Sequence, residues 1–296
     1  MVDLAEGGEW KLKPLGYIGS RLKRPECVLV ERGGGLVVSD MRGGVTRIGP
    51  DQVCHHFPCP GGTTNGIAMD RDGTLYLAGI DTGTIHVLRA DGTFQLLLDA
   101  QEGQELGAVN FVHFDPLGEL WITVSTRTQP RSRAIESPIP DGYILKLTST
   151  GPQLMSSGYC FANELRFDPA MCFAYLAESR LGRVVRMPII QGGYLGPPEP
   201  FGPAPLFDGA IVDGLAFDIH GGLWVTEVTR NGIYRIDGNG GAQCLFEDPQ
   251  GKVIDFPASI AFGGADRKTV FVGSIRMDRI FALRSPIAGA PMWHEG

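Results

Sequence analysis

Six times along the chain, a short strand, led in five of the six by a polar residue, is followed by a tight turn and a second apolar strand. The clearest copy is Asp213-Gly-Leu-Ala-Phe-Asp218-Ile-His-Gly-Gly222, continuing as Leu223-Trp-Val-Thr226. Apolar residues alternate in the first run, glycines break it, and strand-forming residues resume. Equivalent copies open at Glu26, Asn65, Asn110 and Asn163. In all five, the leading polar residue stands five places before an acid and ten before the next apolar strand residue. A sixth copy, Ala258-Ser-Ile-Ala-Phe262 and then Thr269-Val-Phe-Val272, carries two extra residues in its turn. Leading positions are separated by 39, 45, 53, 50 and 45 residues. Periods of that size, with several short strands in each, mark a β-propeller. The sequence therefore predicts an all-β, six-bladed β-propeller forming a single domain over 1–296. Its blades start near 26, 65, 110, 163, 213 and 258.

A chain of 296 residues fits one closed ring of that kind. The 42 glycines and 21 prolines suit a protein built of turns. A formal net charge of −7 and the lack of a basic stripe argue against a nucleic-acid partner. No apolar run reaches the roughly 18 residues of a membrane span. The N-terminal stretch is acidic and polar, unlike a secretory signal, so a cytoplasmic address is expected. The six cysteines are scattered without a paired C-x-x-C and read as reduced thiols. Cys54 and Cys59 are near enough in sequence to bridge a turn, but a core of this size needs no disulfide.

In chain order, residues 1 to 9 are expected to fray. The stretch Trp10–Ile18 is expected to supply an outer strand to the last blade, because an open ring leaves a free edge. After Thr126 the strand pattern fails. The segment 127–140 is polar, broken by proline and locally basic, so a long loop is expected: either an overhang at one mouth of the ring or a solvated excursion. The segment 192–203 reads as proline-rich turn, and 285–296 as a strap or a loose tail. No helix-period segment stands out.

In a propeller the innermost strands run parallel along a central channel, so equivalent positions face the axis at one height. The six leading residues are Glu26, Asn65, Asn110, Asn163, Asp213 and Ala258. Two carboxylates and three amides converge there, where a plain core would place small apolar groups. Hard oxygens with a formal charge of −2 are what a Ca²⁺-like cation needs. Two acids facing one axis without a counter-ion would repel and resist ionisation. The competing reading is that Asn and Asp at strand starts make turn hydrogen bonds. The acids Asp70, Asp115, Asp168 and Asp218 sit at hairpin turns, and turn chemistry accounts for them. His113 lies within a strand and reads as structural. His55 and His56 read as an outer-strand pair.

This pattern resembles the SMP-30/gluconolactonase/luciferin-regenerating-enzyme group of six-bladed propellers over nearly the whole chain. The motifs that carry the resemblance are Pro25-Glu26-Cys27, Ala108-Val-Asn110-Phe111, Ala162-Asn163-Glu164, Val212-Asp213-Gly-Leu-Ala-Phe-Asp218 and Ala261-Phe-Gly-Gly264. The resemblance implies a single divalent cation in the channel, calcium first, with Zn²⁺, Mn²⁺ or Mg²⁺ as alternatives. It places metal ligands on Glu26, Asn163 and Asp213, makes Asp213 the catalytic base or nucleophile, and gives Asn110 a contact to metal or substrate. Asn65, Phe111 and Glu164 complete the candidate substrate contacts. Glu164 stands where glycine is common, as a second acid near the mouth or pointing into solvent.

The implied activity is hydrolysis of a small lactone or related ester. Sugar-lactonase members often carry arginine two residues before the Asn110 position and aspartate just after it. Here Ala108 and Phe111 stand there, so the expected substrate is less polar than a sugar lactone and meets an aromatic wall. Two other classes remain open: a non-catalytic ligand-binding propeller with a structural calcium, and a lyase or isomerase on a strictosidine-synthase-like scaffold.

Overall fold

The computed structural model describes residues 11–296, and the expected fraying of residues 1 to 9 lies outside them. Six antiparallel sheets surround one axis. Their innermost strands are Val28–Val30, Thr64–Met69, Val109–Phe114, Ala162–Phe167, Val212–Phe217 and Pro257–Gly263. Each innermost strand packs on the next, and the sixth packs on the first. Five blades continue outward in simple sequence order, and the sixth is closed differently. Lys13–Ile18 pairs with Ile280–Arg284, with Tyr17 opposite Phe281 and Ile18 opposite Ile280. The strand expected from the N-terminal stretch thus supplies the outer edge of the last blade and ties the two ends of the ring together.

Packing follows from the repeat. Each blade buries both faces of its inner strands against its neighbours, so the inner strands are buried along nearly their whole lengths. Trp121 and Trp224 are fully buried, at the second residue of their strands. Their indole N–H groups donate to Asp115 and Asp218 at 2.9 Å. The same aspartates accept backbone N–H groups of their own turns. The repeated turn acids therefore tie each hairpin turn to the strand that follows it. All six cysteines are free.

Three segments read loosely from sequence take definite form. Segment 127–140 contains a helical turn, Arg133–Glu136, with Ala134 fully buried. Most of the segment is exposed, but it is tethered at several points: Asp141 accepts from Thr126 Oγ1, Arg127 N and Thr128 N, Arg131 pairs with Asp81, and Arg180 donates to the Glu136 carbonyl. Blade 4 has no continuous fourth strand. Prolines split the 192–203 segment into Tyr194–Leu195 and Glu199–Pro200, each pairing with Arg183–Ile190. Segment 285–296 is a strap across the channel end opposite the leading residues. Ala290 N donates to Phe217 O, Gly289 N to Arg267 O and Arg32 Nε to His294 O. No helix among the described residues is long and apolar enough to cross a membrane.

Candidate metal and catalytic centre

Bulges in the inner strands aim the leading residues. The pairing slips by one residue between Thr64 and Ile67, Val109 and Phe111, Ala162 and Leu165, Val212 and Leu215, and Pro257 and Ile260. Each slip falls on a leading position: Asn65, Asn110, Asn163, Asp213 or Ala258. A bulge sets two residues against one, breaks the alternation and re-aims a side chain. Glycine follows two of them because the next strand comes close. A Cβ on Gly214 would sit 2.2 Å from the Ala258 carbonyl oxygen, and one on Gly66 would sit 2.8 Å from that of Asn110.

The five polar leading residues are all buried, and contacts join them. Asn65 Nδ2 donates to the Asn110 backbone oxygen at 3.1 Å and to its Oδ1 at 3.3 Å. Arg24 Nη1 donates to Asn65 Oδ1 at 3.0 Å, and Arg24 Nη2 lies 2.5 Å from Glu26 Oε2. That close charge contact is not an aligned hydrogen bond, and Glu26 Oε2 has no hydrogen-bond partner among the described residues. Asn163 Nδ2 donates to Ser179 Oγ at 3.0 Å, and the Asn163 side chain also hydrogen-bonds Asp213. Neighbouring hydroxyls fix the backbone beneath: Thr226 Oγ1 accepts from Gly214 N at 2.6 Å and donates to the Ala258 oxygen.

Electrostatics single out Asp213. Burial first, then the Glu26 and Glu164 carboxylates, push its carboxyl well above the usual range. Arg24 and the Asn163 hydrogen bond oppose that rise. Glu164 does not point into solvent. It is buried, its Oε2 accepts from Leu215 N at 3.0 Å, and Arg166 Nη2 lies 2.7 Å away. Burial lifts its pKa to about 7 against Arg166 and the Leu215 N–H, with Glu26 adding to the rise. Phe111 corrects another expectation. Its ring is packed among Cys27, Ile67 and Leu77 with the Arg166 guanidinium 4.6 Å from its centre, so it supports Arg166 and does not wall the mouth. His113 is buried between Phe111 and Phe167, and burial keeps it uncharged.

Two arginines of this centre were not singled out from sequence. Arg166 lies two residues after Glu164, on the same face of one strand, and an arginine inside a buried strand demands such a partner. Arg24 left no comparable mark. It sits in the left-handed region (φ 51°) directly before Pro25, an uncommon conformation for a side-chain-bearing residue. At the mouth, a cavity of about 350 Å³ lies between Ile80, Asp81, Pro130, Arg131, Ile135 and Phe161.

Among the described residues no three His, Cys, Asp or Glu side chains converge as a metal cage. The donor set at the axis is two carboxylates with amide oxygens. That set fits an oxygen-preferring cation: Glu26 Oε2 meets the Arg24 guanidinium but no aligned hydrogen bond, and the Glu26 carboxylate opposes the ionisation of Asp213.

Known proteins share this architecture. A curated relative, the 6-deoxy-6-sulfogluconolactonase of Pseudomonas putida, is 26% identical over 204 residues, 66% of this chain and 64% of that protein. The match thus spans just under two thirds of the relative's length. A regucalcin of Agrobacterium tumefaciens, described as a calcium-binding protein, superposes with a TM-score of 0.76 at 18% identity, over 96% of this chain and 97% of its own. A gluconolactonase of Xanthomonas campestris gives 0.73 at 20% identity, over 93% and 89%. At those identities the two structures establish the fold alone. The pattern of the SMP-30/Gluconolactonase/LRE-like region matches residues 24–276, and the chain belongs to that family.

Proposed function

We propose that the protein is a divalent-cation-dependent hydrolase of a small lactone or ester, with Asp213 as its catalytic carboxylate. One observation carries the reading: Asp213 is buried beside a second acid, Glu26, whose Oε2 lacks a hydrogen bond, and is itself bonded to Asn163. Glu26, Asn163 and Asp213 would hold the cation. The regucalcin neighbour, described as calcium-binding, supports calcium as the ion. The lactonases among the relatives support the substrate class. A bound divalent cation would act as a Lewis acid toward the substrate carbonyl and offset the charge that develops on its oxygen.

The residues perform the remaining tasks. Asp213 takes the proton of the attacking water and returns it to the ring oxygen as the acyl C–O bond breaks, leaving a hydroxy acid. Asn163, held by Ser179, keeps the Asp213 carboxylate in place. Asn65, fixed by Arg24, holds the Asn110 side chain, whose Nδ2 is aimed to donate to a substrate oxygen at the same height. The mouth is lined half by apolar side chains (Ile80, Pro130, Ile135 and Phe161) and half by polar ones (Asp81, Gln129, Arg131 and Ser132), so the case for a lactone less polar than a sugar lactone rests on Ala108, which offers no polar group.

The test compares an aliphatic δ-lactone with gluconolactone, with and without chelator. Turnover should vanish with chelator, return with one added ion, and fall by about 10²–10⁴-fold in Asp213→Asn. Turnover indifferent to both chelator and Asp213→Asn would sink the proposal. Tight cation binding with no turnover on any ester would favour a binding propeller instead.

A further inference from the structure

The strap at 285–296 does more than cover the channel end. Between it and the ends of the inner strands lies a cavity of about 280 Å³. Its walls include Phe114, Phe167, Phe217, Phe262 and Trp293, and its inner end is formed by His113 and Arg166. The Arg71 guanidinium, 3.5 Å from the Trp293 ring centre, lies at the same cavity. The leading residues occupy the opposite ends of the same strands, and Arg166, paired with Glu164, lies between this space and the candidate catalytic centre.

Its polar groups are few and specific. Arg166 is buried, pairs with Glu164 through Nη2, and donates to the Leu165 oxygen through Nη1. Its Nε has no hydrogen-bond partner among the described residues. The titratable groups facing the cavity are Arg71, His113, Arg166, His294 and Glu295. His294 is engaged with the Val30 oxygen and Glu295 with Met292 N. Buried donors without partners carry an energetic cost that a ligand acceptor relieves. Glu164 Oε2 lies 2.7 Å from Arg166 Nη2, so an anion brought to Arg166 would be buried against a carboxyl already there.

We propose that this cavity is a second ligand site, taking a small uncharged carbonyl compound with an aromatic or aliphatic body. The carbonyl oxygen meets the open Arg166 Nε–H beside His113, and the body fills the aromatic walls beneath Trp293. Scaled from cavities of ~150 Å³ that hold benzene, the space accepts roughly ten non-hydrogen atoms. The site stands on its own geometry and does not depend on the proposed hydrolysis.

The probe is 4-phenylbutan-2-one, titrated into the full chain and followed by the ¹³C-methyl resonance of Met292, which lines the cavity. The comparator is 3-phenylpropionate, a carboxylate of similar shape. The ketone should shift the Met292 signal saturably, and the carboxylate should bind at least tenfold more weakly. Ala261→Phe, which fills the space from a wall residue, should weaken ketone binding at least tenfold, with folding verified by its melting curve. Asp213→Asn should bind the ketone as wild type does, which separates this site from the catalytic centre. No saturable binding, equal binding of the carboxylate, unchanged binding in Ala261→Phe or loss in Asp213→Asn each overturns the proposal. Should Ala261→Phe not fold, the wild-type titration decides: a saturable Met292 shift supports the site, and shifts that leave Met292 unmoved refute it.

Discussion

Replacing Glu164 by glutamine should change how stability depends on pH, by an amount the structure specifies. The carboxyl is buried and raised from an ordinary 4.5 to about 7, chiefly by that burial. Between those values the folded chain holds a proton that the unfolded chain has released. Stability therefore falls as pH rises across that window, is unaffected by this group below it, and carries the full penalty above it. At 1.36 kcal/mol per unit, the penalty is about 3 kcal/mol. Glutamine keeps an acceptor for the Leu215 N–H but has no charge to bury. It leaves Arg166 without its ion partner, an offset that does not vary with pH here because arginine stays charged. Removing Glu164 also eases the ionisation of Asp213, which adds in the same direction. The assay is urea unfolding by tryptophan fluorescence at several pH values from 4.5 to 8, in chelator, on both proteins. Relative to the variant, wild type should lose about 3 kcal/mol across the range. A difference that stays flat, or that moves in favour of wild type as pH rises, refutes the reasoning.

Other perturbations test neighbouring parts of the structure. Calcium at a hundred times its dissociation constant should stabilise the chain by about 2.7 kcal/mol in thermal melts; the gain should disappear with chelator and in Glu26→Gln. Asp218→Ala strands the Trp224 indole and two turn N–H groups and removes one ion partner of Arg235, and should cost about 3–5 kcal/mol in urea. Asp237→Ala, which removes the acceptor of two exposed turn N–H groups, should cost about 1 kcal/mol or less in the same titration. Gly214→Ala drives a methyl group into the Ala258 carbonyl and should cost about 3 kcal/mol or more, seen as a lowered melting temperature.

Much of the architecture was legible in the residues because a propeller repeats its instructions. Polar lead, turn acid and apolar resumption recur at fixed offsets, and the inner strands begin within two residues of the positions that pattern marks. The strand at Lys13–Ile18 could be foreseen because an unclosed ring leaves an edge. In blade 4 the segment read as proline-rich turn also holds two short paired strands, which sequence could not show because pairing partners rather than local propensity decide them. The turn of helix at Arg133–Glu136 is too short to show a period, and its place is set by contacts with Asp81 and Arg180.

Sequence alone determined which side chains stand at each blade's start, because that is a matter of order along the chain. Only the folded ring decided how they are used, since burial and charge pairing join residues far apart in sequence. The Glu164 carboxyl could not be placed until Arg166 and the Leu215 N–H were seen beside it. Phe111 read as a wall of the mouth until packing set it beneath Arg166. The bulges that aim the leading side chains arise from pairing between strands and leave little trace in either strand alone.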